Sequence, residues 1–352
     1  MTEDRTSVLA WLQRRFRDRR PVHIIPYHGY GTHSQVRLFG RVLRDPGLPP
    51  PEADDSAWEN LLASYERLES DEVSGITVQG NMAGSIVEAI SDDEGYITLT
   101  FRPDSLASAG WHLVELMADQ IGAAATQGRV LIPPAHGFGI ISDIDDTVIE
   151  SAVTRPLQLA RLVLLANAQT RAVFPGVAAL YKALQSGPDG KDQNPIFYIS
   201  GSPWNLYDLL VDVFELHGVP AGPLLLRSLE REVVLPALQG QSSLVSHKIA
   251  SIVHILATYP ERPFVLLGDS GQRDPEAYQQ IARDFPGRIA AVYIRDVTGN
   301  PRDQQIETIG QWFAMNSVPF VYAPTTLAFA EDAAARGLIA ATAVDAVRSA
   351  EM

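Results

Sequence analysis

The 352-residue chain contains no cysteine. Disulfides, zinc–thiolate sites and cysteine nucleophiles are therefore excluded, and the composition suits a reducing compartment. A basic excess is missing too. The formal net charge is −14, whereas bulk nucleic-acid binding needs a positive footprint. No apolar run approaches the ~18 residues of a spanning helix. The N-terminus lacks an apolar stretch followed by a small-residue cleavage site, so the expectation is a cytoplasmic protein. What is present is 46% hydrophobic and 20% charged, over a length that suits about two domains with a sizeable core.

The organisation changes twice along the chain. Residues 7–19, "SVLAWLQRRFRDR", read as an amphipathic helix with Val8, Leu9, Trp11, Leu12 and Phe16 on one side and arginines elsewhere. Such a helix either lies in an anionic membrane surface or packs its apolar side on the next domain with its arginines solvated. Short, partly alternating segments follow, among them "VHIIPY", "SQVRLFGRVL", "GITVQGN", "GYITLTF" and "WHLVELM". A Pro-rich acidic insert and a helix near Ala57–Leu68 interrupt them, and "QGRVLIPPAHG" closes the set. This part reads as a small β-sandwich. Beyond it, near-continuous apolar runs alternate with helical stretches, the pattern of a parallel sheet covered on both faces. The expected divisions are residues 1–20, 21–134 and 135–352.

In the last division, polar residues gather where apolar runs end, which is where open α/β sheets bind ligands. "GIISDIDDT" brings Asp143 and Asp145 to the same side if the chain stays extended, with Asp146 turned away. Two such carboxylates can share a cation or divide into nucleophile and acid; alternatively they cap a turn. Ser200 ends "IFYIS", and Ser202-Pro203 has the form of an N-cap and first-turn proline. In "SHKIAS", Ser246 would cap a helix whose first turn holds Lys248, a cation placed against the helix dipole. In "FVLLGDSGQRDPE", Asp269 ends a run beside Gly268, and Asp274-Pro275 reads either as another cap or as part of a metal site. Hard oxygen ligands without sulfur select Mg²⁺, and a carboxylate nucleophile beside it fits phosphoryl transfer. His23, His28 and His33 are spaced by five, which suits neither a helix face nor a strand face, so they read as loop histidines. Trp204 suits the substrate entrance or the core equally.

Asp143-x-Asp145-x-Thr147, Ser200, Lys248 and Gly268-Asp269…Asp274 resemble, in order, the four motifs of haloacid-dehalogenase-superfamily phosphatases. The resemblance covers roughly Gly137 to Asn300. It implies a Rossmann-like parallel sheet, with Asp143 as nucleophile and Asp145 as general acid, oriented by Thr147. Ser200, Gly201 and Lys248 would hold the phosphoryl oxygens. Mg²⁺ would sit on Asp143, Asp269, Asp274 and the Asp145 carbonyl. "DIDDT", "YISGSPWNLY", "SHK" and "LLGDSGQRDPEAY" resemble more narrowly the actin-patch-associated phosphatidate phosphatases, relatives of the lipins, whose catalytic domains follow an Ig-like region. The implied substrate is phosphatidate, a phosphorylated lipid.

The segments 155–174 and 228–247 are too short for a full cap domain, so the expected site is open, as suits a lipid headgroup or a macromolecular phosphate. The alternatives are the same mechanism on a soluble or protein-bound phosphate, and a non-catalytic interaction protein. The membrane reading of residues 7–19 has a direct test. Deleting residues 1–20 should reduce co-sedimentation with anionic liposomes, and unchanged binding would remove the anchor.

Overall fold

Two kinds of strand burial separate the chain. The structure, a computed structural model, describes residues 21–44, 72–103, 108–119, 124–149, 173–227, 243–297 and 302–352. The expected helices at 7–19 and near Ala57–Leu68, and most of both segments read as too short for a cap, lie outside the described residues. The chain forms two compact units, residues 1–107 with 111–130 and residues 108–110 with 131–352.

The first unit carries β1 (Val22–Pro26), β2 (Gly29–Gly31), β3 (Val36–Arg44), β4 (Thr77–Met82), β5 (Ser85–Ile90), β6 (Tyr96–Phe101) and, but for Gly110, Leu131 and Ile132, β7 (Gly110–Ala118) and β8 (Thr126–Ile132). Burial alternates residue by residue along β4, β6 and the second half of β7, as one core-facing side requires. Pairing is antiparallel in β1/β3, β2/β3, β3/β6, β4/β5 and β4/β7. The described strands join into one hydrogen-bonded sheet, with β6 attached to β3.

The second unit is built differently. Its sheet runs β11-β10-β9-β12-β13-β14, where β9 is Gly139–Asp143, β10 Ile196–Pro203, β11 Leu224–Arg227, β12 Phe264–Asp269, β13 Ile289–Arg295 and β14 Phe320–Ala323. All five pairings are parallel. Every residue of β9 and β12 is buried, because helices cover both faces: α1 (Val177–Ser186), α2 (Tyr207–Leu216), α3 (Ser243–Thr258), α4 (Asp274–Asp284) and α5 (Asp303–Met315). From β9 the chain adds β10 and β11 on one side, then returns to add β12, β13 and β14 on the other. That reversal puts the topological switch point between β9 and β12, where such sheets leave a crevice beyond the strand ends.

Sequence patterning missed β2 and β14. Both are short, and the four residues of β14 are only half-buried at the sheet edge, so their apolar signal is weak. The C-terminal tail, from about Thr325, contains α6 (Thr326–Ala335) and α7 (Ala343–Glu351). It folds back on the start of α1: Thr326 Oγ1 donates to Pro175 O at 2.7 Å, and Glu351 accepts from Leu327 N.

Asn194 ties the entry of β9 to the end of α1. Its Oδ1 accepts from Phe138 N at 3.1 Å and its Nδ2 donates to Leu184 O at 2.9 Å, both buried. Asn194→Ala strands these two groups. Urea unfolding should show a loss of about 1–3 kcal/mol.

Candidate active site

Three strands deliver the chemistry. Asp143 is the last residue of β9, opposite Ile199 of β10, so Ser200 lies one residue further along its neighbour. On the other flank Leu267 pairs with Ser142, which brings Asp269, the last residue of β12, to the same end. The chain then turns sharply. Asp146 takes a left-handed φ of 58°, a conformation that aspartate tolerates better than most residues, and its N–H donates to Ile149 O at 2.8 Å. The extended geometry expected through Asp145 therefore stops at Asp143, and a turn rather than strand alternation places Asp145 and Asp146.

Lys248, on α3, reaches into the centre. Its Nζ lies 2.7 Å from Asp143 Oδ1 and in still closer contact with Asp274 Oδ1. Asp143, Lys248, Asp269 and Asp274 are at most 6% exposed. Asp274 Oδ2 also accepts from the Asp269 N–H at 3.1 Å, and Asp269 Oδ1 from the Gln272 N–H at 2.8 Å. Gly268 makes this possible, since a Cβ there would come within 2.4 Å of Asp274 Oδ2. Burial raises the Asp143 carboxyl well above the ordinary range against the pull of Lys248, with Asp274, Asp269 and Asp145 adding to the rise. Burial likewise pushes Asp269 up to about 8, helped by Asp274 and opposed by Lys248. Burial alone would lower Lys248, but Asp143 and Asp274 outweigh it and hold its ammonium charged.

Asp143, Asp269 and Asp274 offer carboxylate oxygens all within 4.8 Å of one another. Asp143 Oδ2 and Asp269 Oδ2 are buried with no hydrogen-bond partner among the described residues. Three carboxylates against one ammonium leave two formal negative charges. A divalent cation with oxygen preference fits that excess and those orphaned atoms.

The remaining expected residues fall in the same place with different partners. Ser200 is fully buried; its Oγ donates to Asp145 Oδ2 at 2.7 Å and accepts from Ser202 N at 2.9 Å. The Asp145 side chain is not among the clustered carboxylates. Thr147 is buried, and its Oγ1 has no partner among the described residues. Gly201 is exposed beside them.

Three caps read from the sequence are not formed. β10 continues through Pro203 into a 3-10 turn at Trp204–Leu206, so Ser202 caps no helix. α3 is described from Ser243, which leaves Ser246 inside it and Lys248 a turn deeper than expected; ion pairs, not the dipole, account for the lysine. Asp274 is the first residue of α4 rather than its cap, and its carboxylate points inward to Lys248.

Trp204 is half-buried and stacks on Tyr207. None of His23, His28 and His33 joins a potential metal cluster among the described residues. Patterning missed Ser142, whose Oγ donates to the Asp143 carbonyl and shares a 2.6 Å hydrogen bond with Tyr181 on α1. A serine in an otherwise apolar strand was the available signal.

Residues 138–296 match the family described as "Phosphatidate phosphatase APP1, catalytic domain". The chain is 34% identical over 169 residues to a Saccharomyces cerevisiae protein named Phosphatidate phosphatase APP1, covering 48% of this chain and 27% of that one. It is 29% identical over 249 residues to an uncharacterized protein of Schizosaccharomyces pombe, covering 69% and 38% respectively. The chain spans well under half the length of both curated relatives. A carbohydrate acetylesterase structure from Xanthomonas citri covers 81% of this chain and 71% of its own at 12% identity, with a TM-score of 0.25, too low to carry an argument. The narrower resemblance, to the actin-patch-associated phosphatidate phosphatases, is borne out over residues 138–296.

The raised carboxyls set a pH dependence. Asp269 has a value near 8 when folded against an ordinary 3.8, so between these the folded state binds the proton more tightly. Its contribution is present at low pH and declines as pH rises, and Asp143 shifts the same way. The melting temperature of metal-free protein should fall from about pH 5 to about pH 8, and Asp269→Asn should flatten that fall. An increase across the window would contradict the assignment.

Proposed function

We propose that this chain is a Mg²⁺-dependent phosphomonoesterase that works through an aspartyl-phosphate on Asp143, with phosphatidate as its substrate and diacylglycerol and phosphate as its products. The observation that carries the reading is the buried set of three carboxylates around Lys248 at the switch point, with two oxygens left unpartnered. The match of residues 138–296 to the phosphatidate phosphatase catalytic domain supports the substrate. By the same reading the second unit is a haloacid-dehalogenase-type fold with little cap, and the eight-stranded unit is an Ig-like module. The protein would work from the cytoplasm at a membrane surface. Among the described residues no helix is long and apolar enough to cross a membrane.

Asp143, Asp269 and Asp274 would hold the ion, with the Asp145 carbonyl as a further ligand. Bound there, Mg²⁺ supplies charge neutralisation for the phosphoryl group. Lys248 has three N–H donors, two of them directed at Asp143 and Asp274, and the third can meet a phosphoryl oxygen. It also orients the nucleophile. Asp143 attacks phosphorus as the ester P–O bond breaks, and Asp145 gives its proton to the departing oxygen. While Asp145 carries that proton, the Ser200 hydroxyl is free to turn toward a phosphoryl oxygen. Asp145 then takes a proton from water, which attacks the aspartyl-phosphate. Inorganic phosphate leaves and the Asp143 carboxylate is restored. Gly201, exposed beside Ser200, would offer its N–H to the phosphate. The intact set speaks against a purely non-catalytic interaction protein.

Phosphate release should require Mg²⁺ and disappear in Asp143→Asn, and Asp145→Asn should lower kcat by about 10²–10⁴. Activity retained in Asp143→Asn would overturn the nucleophile assignment. A panel comparing phosphatidate in vesicles with sugar and nucleotide phosphates decides the substrate. Turnover dominated by the soluble esters would sink the lipid reading.

A further inference from the structure

The loop between the two carboxylates at the end of β12 has its own clamp. Arg302, just ahead of α5, donates through Nη1 to Ser270 O at 2.7 Å and, more closely still, to Gln272 O. Its Nη2 donates to Glu276 Oε1 at 2.5 Å, and Gln305 Nε2 reaches the same oxygen at 3.0 Å. Ser270 and Gln272 lie between Asp269 and Asp274, and Gln272 is the residue whose N–H holds Asp269 Oδ1. Glu276 sits in the first turn of α4, two residues after Asp274. One planar guanidinium thus joins the loop that follows one carboxylate to the helix that begins with the other. Both Arg302 and Glu276 side chains are about four-fifths buried, which shields this pair from the solvent screening that weakens surface ion pairs.

We infer that Arg302 is a positioning residue for the acidic site, fixing the separation of Asp269 and Asp274 at the geometry a divalent cation needs. It touches neither carboxylate and acts through main-chain carbonyls and Glu276. The guanidinium fork is essential to the task, because it meets acceptors on two elements at once where an ammonium offers a point charge. The inference rests on the divalent-cation reading proposed above. It adds a residue that follows β13 in the chain and that no motif of the site contains.

The test is calorimetric titration of Mg²⁺ into wild type, Arg302→Lys, Arg302→Met and Glu276→Gln, each well below its melting temperature. Removing an outer partner of this kind typically weakens metal affinity by about 10–100-fold, and both Arg302 variants should fall in that range, Glu276→Gln less far. Excess Mg²⁺ should restore kcat in Arg302→Lys, a rescue that general loss of structure would not give. A folded Arg302→Lys that binds Mg²⁺ within about twofold of wild type overturns the inference and leaves the metal reading intact. If Arg302→Met does not fold, Arg302→Lys decides. Wild type that binds no Mg²⁺ removes the metal reading and this inference with it. Wild type that binds Mg²⁺ but hydrolyses no phosphomonoester leaves the titration to decide the inference alone.

Discussion

Everything at the sheet's carboxyl end is arranged around a buried ammonium that is outnumbered by carboxylates. Lys248 touches Asp143 and Asp274, while Asp269 stands beside them with one oxygen unpartnered. Buried charge is tolerated only when it is paired, and here the pairing is incomplete by two formal charges. Burial and the neighbouring carboxylates raise the Asp143 and Asp269 carboxyls, so the metal-free site holds its protons more tightly than carboxyls in water. The same imbalance suits the site to a dication and then to a phosphoryl group.

Such a cluster adds little to stability, since desolvating ion pairs commonly offsets their attraction. The surrounding sheet has to hold it. β9 and β12 are buried along their whole length, packed with Ile140, Ile141, Phe264 and Leu266, and their parallel register sets Asp143 and Asp269 at one edge. Apolar burial stabilises the strands, and the strands impose the unfavourable proximity. Gly268 leaves room for the Asp274 carboxylate, and the left-handed turn at Asp146 redirects the chain after Asp143.

Most of the parallel unit was legible in its residues. Runs such as "FVLLGD" and "PIFYIS" read as strands because full burial on both faces demands unbroken apolar stretches, and β12 and β10 lie there. Asp143, Asp145, Ser200 and Asp269 stood out because polar residues at the ends of such runs need a reason, and Lys248 because a cation near a helix start opposes the dipole. The helix caps read at Ser202 and Ser246 are not formed, and of the two readings of Asp274 the cap is the one that fails. Ser202, Ser246 and Asp274 have the right residue types at the right spacing, but capping is a local preference of about 1 kcal/mol. At Asp274 an ion pair to Lys248 and the Asp269 N–H claimed the carboxylate instead.

The residues alone determined which segments are buried and which chemical groups stand at their ends, because burial and charge are properties that composition carries. They could not determine which ends meet. The strand order, with β12 returning to the far side of β9, decided that Asp269 faces Asp143. Only that fold set the partners: Ser200 with Asp145, Lys248 between two aspartates, and Arg302 across the loop from Glu276. These contacts join residues distant in the chain, and no local pattern records a distance through space.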